Sequence, residues 1–282
     1  MSELQKLSKK IIKDALIEDG YDNDITSNCC IDNQIVKFSI IAKEDIILCG
    51  IDIVKITYET ILQNSKFSNC EIKIINNNKD GQFIKKNNII CHGSGSARLI
   101  LAGERVMLNL IQHLCGIATK TSKYVNLLNN ENIKILDTRK TIASLRSLQK
   151  YSVKVGGGEN HRYNLSDKIL IKDNHIAING SIEQILKKFT NKKYEIECEN
   201  ISQVKKTLKF NPAIIMLDNM NISQIKLCAS IIRENKPNTQ IEVSGGITIK
   251  NIYKYQNLDI DYISIGDLTH SINASDISLE IC

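Results

Sequence analysis

Ile133-Lys134-Ile135-Leu136-Asp137-Thr138-Arg139-Lys140 is a stretch in which a short apolar strand runs directly into charged residues. The same arrangement recurs through the second half of the chain, where short apolar runs alternate with segments of helical periodicity. The predicted strands cover residues 133–136, 169–171, 195–198, 214–217, 241–243 and 262–265, and the predicted helices cover residues 182–189, 201–208, 222–234 and 249–255. Short apolar strands that alternate with helices are typical of parallel strands in βα units. Residues 113–271 are therefore predicted to form a (β/α) barrel.

The ends of the predicted strands carry the polar residues that indicate a functional site. In (β/α) barrels the active site lies at the C-terminal ends of the strands. The residues at or just beyond these ends are Arg139, Lys140, Lys172, Glu197, Asp218, Ser244, Gly245, Gly246 and Gly266. Carboxylate oxygens can hold Mg²⁺, and glycine turns let backbone N–H groups approach a phosphate. The set therefore suits a phosphorylated substrate with a divalent metal.

More cations lie between the first two predicted strands. The glycines of residues 156–158 precede Asn160-His161-Arg162, and His175 closely follows Lys172. Arginine offers a planar fork that pairs with carboxylate or phosphate, and lysine offers a compact point charge. Together with the cations that end the first strand, these residues predict a pocket for a strongly anionic ligand.

The first part of the chain, residues 1–112, is predicted to form a small α+β domain. Helical spacing is present near the N-terminus and in residues 51–61 and 99–114, and β-like runs cover residues 35–42, 46–48, 71–75 and 89–92. A separate helix, residues 119–128, is predicted to follow Gly116. The C-terminal tail, residues 272–282, is expected to pack with this domain.

Composition argues against several functional classes. The net charge is +6, and 31 acidic residues are mixed with 37 lysines and arginines, whereas a nucleic-acid binder usually concentrates its basic residues in a patch. The nine cysteines include no Cys-x-x-Cys pair, which argues against a disulfide framework or structural zinc and favours a reducing compartment. Neither a signal-peptide pattern nor an apolar run of about 20 residues is present. We therefore expect a cytoplasmic protein that binds a small anion, with no nucleic-acid or membrane partner.

Seven runs of residues carry a resemblance to a known family. They are Glu104-Arg105-x-x-Leu108-Asn109, Asp137-Thr138-Arg139-Lys140-Thr141, Gly156-Gly157-Gly158-x-Asn160-His161-Arg162, Ile171-Lys172-Asp173-Asn174-His175, Leu217-Asp218-Asn219, Ser244-Gly245-Gly246-Ile247 and Leu268-Thr269-His270-Ser271. In this order and spacing, which extend over nearly the whole chain, they resemble the quinolinate phosphoribosyltransferases, also called carboxylating nicotinate-nucleotide pyrophosphorylases. One run alone would be unspecific, but all of them in register are highly specific.

The resemblance implies a fold, an assembly and a reaction. The fold is an α/β protein with an N-terminal α/β sandwich domain and an incomplete TIM-like (β/α) barrel, the type II phosphoribosyltransferase fold. The assembly is a homodimer, or a larger homo-oligomer, with an active site shared across subunits. The implied enzyme is a pentosyltransferase of de novo NAD biosynthesis. It transfers the phosphoribosyl group of 5-phosphoribosyl-1-pyrophosphate (PRPP) to quinolinate with decarboxylation, giving nicotinate mononucleotide, pyrophosphate and CO₂, with Mg²⁺ as cofactor.

The resemblance also implies roles for individual residues. The residues expected to bind quinolinate are Arg139, His161, Arg162, Lys172 and, reaching in from a partner subunit, Arg105. The residues expected to bind PRPP are Lys140, Glu197, Asp218, Ser244, Gly245, Gly246 and Gly266. Glu197 and Asp218 would also hold the metal, directly or through water. Lys140 and Lys172 would lie between the two substrates as catalytic residues, and the proton donor of decarboxylation stays open among these two lysines and water.

The chain departs from the family pattern in one loop. Family members often have Pro-Gly where this chain has Ala143-Ser144, so the shape of the loop is open although its charges are kept. Two other residues have a structural alternative. Asp218 could cap the helix that follows it, and His175 could orient the loop after Lys172 instead of touching substrate.

Two other functions compete with the resemblance. The first is a paralogue of the same fold that acts on another acceptor, such as the molybdenum-associated relatives. The grouped cations disfavour it, because they suit a dicarboxylate. The second is a basic nucleic-acid-binding protein, which would leave the strand-end carboxylates and glycine turns unexplained.

Overall fold

The computed structural model describes residues 3–32 and 34–282, with the backbone alone for residues 3–7. The helices in this part of the chain are α1 (Glu3–Asp19), α2 (Ile25–Cys30), α3 (Asp52–Ile61), α4 (Ala97–Leu128), α5 (Arg146–Val155), α6 (Asp173–Asn179), α7 (Ile182–Leu186), α8 (Ile201–Thr207), α9 (Ile222–Asn235) and α10 (Asp267–His270). The strands are β1 (Ile35–Ala42), β2 (Ile46–Ile47), β3 (Ile72–Ile75), β4 (Phe83–Ile84), β5 (Ile89–Ser96), β6 (Lys134–Leu136), β7 (Leu170–Ile171), β8 (Glu195–Cys198), β9 (Ile214–Asp218), β10 (Gln240–Ser244), β11 (Tyr262–Ser264) and β12 (Ile277–Ile281). Short 3₁₀-helices lie at Tyr21–Asn23, Ser65–Phe67, Lys187–Phe189 and Ile252–Tyr255.

The chain forms two compact units. The first consists of Met1–Ser122, Thr141–Gly157 and Leu268–Cys282, and the second consists of Lys123–Lys140 and Gly158–Asp267. Helix α4 contributes residues to both units. The predicted domain boundary between residues 112 and 113 falls within this helix.

The first unit is built on an antiparallel sheet in the order β12-β1-β5-β3. Along β1 every second side chain from Phe38 to Ala42 is buried, as expected for a strand with one face on a core. The ring of Phe38 lies 6.5 Å from that of Tyr58 on α3, within one apolar cluster that also includes Ile12 of α1 and Met107 of α4. Burial of each such side chain contributes about 1.5–3 kcal/mol. The predicted α/β sandwich is confirmed.

The prediction of two helices separated at Gly116 is wrong. Helix α4 runs without interruption over 32 residues. Gly116 lies inside it, where a Cβ atom would come within 2.3 Å of the carbonyl oxygen of Asn273. The glycine therefore serves the close packing of the C-terminal segment against the helix. Among the described residues no helix, α4 included, combines the length and apolarity needed to cross a membrane.

The second unit contains a parallel sheet of six strands in the order β6-β11-β10-β9-β8-β7. The sheet follows chain order from β7 to β11, and β6 then pairs with β11. A closed barrel would also need β6 to pair with β7, and that pair is missing from the described strands, so the barrel is incomplete as predicted. All six predicted strands are present, with ends shifted by at most one residue.

One of the predicted helices in the second unit is wrong. Helices α7, α8 and α9 confirm three of the predictions, but residues 249–255 form only the 3₁₀-helix Ile252–Tyr255. The N–H of Thr248 donates to the side chain of Asn251 at 2.7 Å, and that side chain donates to the carbonyl of Gly246 at 2.9 Å. Asparagine here satisfies backbone groups in a turn, in competition with helix formation.

The loop at Ala143-Ser144 contains a residue in the left-handed region of backbone space. Ser144 has a φ of +66°, a conformation that costs an L-residue about 1–2 kcal/mol and costs glycine little. The family that this sequence resembles often has glycine at the position of Ser144. The loop therefore keeps a backbone conformation suited to glycine while holding a serine.

Replacing Ser144 by glycine should stabilise the folded protein by about 0.5–1 kcal/mol, because relief of backbone strain exceeds the added entropy of the unfolded chain. The midpoint of denaturant unfolding measures this change. The control is Ser144→Ala, which keeps the strain and should show no such gain. Equal stability of the glycine variant and the unmodified protein would contradict the argument.

Candidate active site

One face of the parallel sheet in the second unit is polar, and strand register decides which residues share it. Partnered positions place Glu197 of β8, Met216 of β9 and Glu242 of β10 side by side, and two residues further along they place Asp218 beside Ser244. Side chains alternate between the two faces of a strand, so these five share one face. The residues of the opposite face are buried and apolar: Ile196, Ile215, Leu217, Ile241, Val243 and Ile263. The sheet therefore presents its candidate site residues on one side only.

Lys172 and Glu197 form an ion pair at the ends of the neighbouring strands β7 and β8. Nζ of Lys172 lies 2.5 Å from Oε2 of Glu197, which is mostly buried. The backbone N–H of Lys172 donates to Nδ1 of His175 at 2.9 Å, where α6 begins. His175 thus fixes the backbone that carries Lys172, which favours the orienting role over direct contact with substrate.

The ends of β9 and β10 meet at a glycine turn. The N–H of Asn219 donates to the carbonyl of Ser244 at 2.9 Å. Gly245 has a φ of +92°, and a Cβ atom there would lie 2.1 Å from Oδ1 of Asn219, so this position requires glycine. Helix α9 is capped by the side chain of Asn221. Capping is therefore not the role of Asp218, whose carboxylate accepts from the Asn219 amide at 2.7 Å.

Arg162 and Arg139 bring two positive charges close together. Arg162 is largely buried, and its Nη1 donates to the carbonyl of Lys168 at 3.2 Å. Burial lowers the pKa of the Arg162 guanidinium, and the positive charge of Arg139 lowers it further. Two cations held near each other, one buried and one half-buried, create a potential that favours a bound anion.

His161 lies against two buried carboxylates. Its Nε2 is 3.1 and 3.2 Å from the two carboxylate oxygens of Glu195 and 3.6 Å from Oε2 of Glu242. Its Nδ1 accepts a hydrogen bond from the N–H of Arg162 at 2.8 Å, and its own backbone N–H donates to the buried carboxylate of Asp137 at 3.0 Å. A neutral imidazole has one proton, so with Nδ1 as acceptor the proton lies on Nε2 and points at Glu195. Both ring nitrogens thus have protein partners.

Glu242 and Glu195 are absent from the residues predicted from the sequence. Glu242 is fully buried, and burial followed by the negative charge of Glu195 raises the pKa of its carboxyl to about 7. The sequence does contain a pattern that could have identified both, because each is an acidic residue within a short apolar strand. Each also stands two positions before a predicted site residue, Ser244 or Glu197, and therefore on the same face.

The remaining predicted residues lie in loops or on the first unit. Lys140 is exposed in the loop after β6, where its N–H donates to Oγ1 of Thr138 at 3.0 Å. Gly266 lies between β11 and α10. Arg105 is exposed on α4 and belongs to the first unit. The roles of these residues toward individual substrates stay predictions.

Comparisons with known proteins show the family of the chain. Residues 24–115 match the model of the quinolinate phosphoribosyl transferase N-terminal domain, and residues 117–280 match that of the C-terminal domain. The chain is 38% identical to the probable carboxylating nicotinate-nucleotide pyrophosphorylase of Bacillus subtilis, over 97% of this chain and 93% of that protein. It is 40% identical to the corresponding protein of Methanocaldococcus jannaschii, over 99% and 98%.

A solved structure shows the same similarity in three dimensions. The crystal structure of nicotinate-nucleotide pyrophosphorylase from Ehrlichia chaffeensis matches with a TM-score of 0.89 and 41% identity, and the match covers 97% of this chain and 98% of that one. Both family models and relatives that align over nearly the full length show that the chain belongs to the quinolinate phosphoribosyltransferase family.

Proposed function

We propose that this protein is the enzyme that transfers the phosphoribosyl group of PRPP to quinolinate with decarboxylation, giving nicotinate mononucleotide, pyrophosphate and CO₂ in de novo NAD biosynthesis. The observation that carries the proposal is the meeting of cations and carboxylates on one polar sheet face, with Lys172 bonded to Glu197 and Asp218 beside Ser244. Family membership and the carboxylating pyrophosphorylases among its relatives support the same reaction here.

The donor half of the site must stabilise separated charge. Cleavage of the bond between ribose C1 and pyrophosphate builds positive charge on the sugar and negative charge on the leaving group. Positioned cations stabilise the leaving group, and this is the role we assign to Lys140 and Lys172. Glu197 and Asp218 receive the ribose hydroxyls.

The 5-phosphate of the donor is assigned to the glycine turns at the ends of β10 and β11. Gly245 and Gly246 have φ values of +92° and +65°. Backbone in such conformations can direct successive N–H groups at an anion. Ser244 adds a hydroxyl at the start of the first turn, and Gly266 adds the second turn.

The carboxylates of this half fit Mg²⁺. Glu197 and Asp218 offer oxygen ligands from neighbouring strands on one face, and oxygen is what Mg²⁺ prefers. Water and substrate oxygens would supply the remaining ligands of the ion. When bound, Mg²⁺ would neutralise charge on the pyrophosphate group.

The acceptor half uses cations to hold a dicarboxylate. The nucleophile is the uncharged pyridine nitrogen, so no strong base is required and positioning supplies much of the rate. Arg139 and Arg162, whose charges lie close together, would each pair with a carboxylate of quinolinate. A monocarboxylate acceptor would leave part of this positive charge unmatched, which disfavours a paralogue that acts on such an acceptor.

Decarboxylation follows from the charge on the product ring. Loss of CO₂ leaves an electron pair on the carbon next to the new pyridinium nitrogen, whose positive charge stabilises it. That carbon then takes up a proton. Lys140, Lys172 and water are the candidate donors.

We place the enzyme in the cytoplasm as a homodimer or larger homo-oligomer. All nine cysteines are free, which supports a reducing compartment. Arg105 is exposed on α4, so it is available to complete the quinolinate site of a second subunit.

Replacing Arg139 by alanine should lower kcat/KM for quinolinate by an amount equivalent to roughly 2–5 kcal/mol, because a buried carboxylate partner is lost. The KM for PRPP should change less. The measurement is steady-state formation of nicotinate mononucleotide and CO₂ with each substrate varied in turn. Lys226→Ala, which removes an exposed cation on α9, is the matched control. Equal losses for both substrates in Arg139→Ala would refute this division of the site. If the unmodified protein is folded and forms no product, the proposed reaction is refuted.

Mixing two inactive variants tests the shared site. Arg105→Ala and Lys172→Ala should each lack activity as homodimers. After subunit exchange at equal amounts, half of the dimers are mixed and each has one intact site, so about a quarter of full activity should return. Size-exclusion chromatography and mass spectrometry confirm the exchange. Mixed dimers that stay inactive would show that Arg105 does not act across subunits.

A further inference from the structure

The carboxyl group of Glu242 is enclosed without the partners that an ionised carboxylate needs. The residue is 0% exposed, and neither carboxylate oxygen has a hydrogen-bond partner among the described residues. Nε2 of His161 lies 3.6 Å away, beyond hydrogen-bond distance. An ionised carboxylate in such a place is costly unless something neutralises it. Either a bound cation or a proton can do this.

A metal ion fits the positions of the side chains but not the protonation of His161. His161, Glu195 and Glu242 each have a ligand atom within 4.8 Å of the others. A metal-bound histidine keeps its proton on the other nitrogen, where it donates to a protein group. Here Nδ1 of His161 accepts the N–H of Arg162, so Nε2 carries the proton and cannot be a ligand. A proton on Glu242 is the remaining way to neutralise its charge.

The groups that face Glu242 from all sides support a protonated carboxyl. Glu195 of β8 contributes a negative charge, and Met216 of the neighbouring β9 contributes none. His161 and Lys168, from the segment before β7, favour the ionised form, and so does the hydroxyl of Ser264 on β11, which lies near the carboxyl group without meeting hydrogen-bond geometry. Burial and the charge of Glu195 outweigh these groups, and the pKa of Glu242 is raised to about 7.

Glu242, Glu195 and His161 are connected to Arg162 through His161. Glu195 accepts the Nε2 proton of His161, and Nδ1 of His161 holds the backbone N–H of Arg162. The negative charge of Glu195 also attracts the Arg162 guanidinium and partly offsets the lowering of its pKa by burial and by Arg139. A second ionised carboxylate at Glu242 would compete for His161 and would weaken the positive potential at Arg162 and Arg139.

We propose that Glu242 is a proton-carrying positioning residue: its neutral form leaves His161 paired with Glu195, keeps Arg162 in place and lets the site bind a dianionic acceptor. The inference rests on the proposed function in that the acceptor is taken to be quinolinate. Ionisation of Glu242 places a further negative charge near the site and weakens acceptor binding.

The sign of the pH dependence follows from linkage. A bound dianion favours the protonated form of Glu242 and raises the pKa of this carboxyl further in the complex. The KM for quinolinate should therefore be flat below about pH 7, rise by about three- to tenfold above it, and level off once the pKa of the complex is passed. The KM for PRPP should not share this rise.

The test compares the unmodified enzyme with Glu242→Gln, which keeps shape and neutrality but cannot ionise. In the variant, the KM for quinolinate should stay flat between about pH 6 and about pH 9. Glu234→Gln, which neutralises an exposed carboxylate on α9, should keep the rise. A Glu242→Gln profile that still rises like that of the unmodified enzyme would overturn the proposal.

A second measurement does not depend on activity. Infrared spectra of the protein without substrate should show the C=O band of a protonated carboxyl that disappears as the pH passes through about 7 and is absent in Glu242→Gln. If this band is present but no nicotinate mononucleotide forms, the proposed reaction fails while the protonation of Glu242 stands. If the band is absent, or if the protein as purified holds a stoichiometric metal that Glu242→Gln loses, the proposal fails.

Discussion

Charge held away from water is the constraint on which the second unit depends. One face of its parallel sheet is apolar and buried, while the other carries carboxylates that water reaches poorly. Buried charges persist only when paired or neutralised. Lys172 pairs with Glu197 and His161 pairs with Glu195, and Glu242 has no equivalent donor among the described residues. The Lys172 ammonium and the Nε2–H of His161, which are predicted to contact an anionic substrate, therefore also stabilise the buried carboxylates.

The second unit can be predicted from the sequence because its pattern is local. A strand buried on both sides reads as a short apolar run, and the charged residue that ends it marks the edge where the strands open. This logic alone predicts all six parallel strands and places Lys172, Glu197 and Asp218 at one edge of the sheet. It also explains why Asp218 is ambiguous in the sequence, since an acidic residue before a helix has the same local pattern whether or not it caps. The capping residue is Asn221, three positions further along the chain.

The failures come from contacts between residues far apart in the sequence. Gly116 looks like a helix end, but its role is to admit Asn273, which lies far away in the chain. Helix α5 is absent from the predicted elements because its buried face includes the polar residues Gln149, Lys150 and Ser152, so it holds few of the apolar residues by which a helix is recognised in a sequence. In the same way, no sequence pattern shows that Glu242 of β10 and Glu195 of β8 converge on one histidine.

His161 shows how a motif can mark the right residue and leave its task undecided. The resemblance assigns it to the quinolinate carboxylates, yet its Nε2 proton already points at Glu195 and its Nδ1 already holds the Arg162 backbone. To bind the acceptor directly, Nε2–H would have to leave one carboxylate for another. Glu195, which lies beside Glu242, would then lose its hydrogen-bond donor. This loss is costly when Glu195 and Glu242 are both ionised, and much less costly when Glu242 is neutral. Direct binding by His161 and indirect action through Arg162 therefore depend on the same proton.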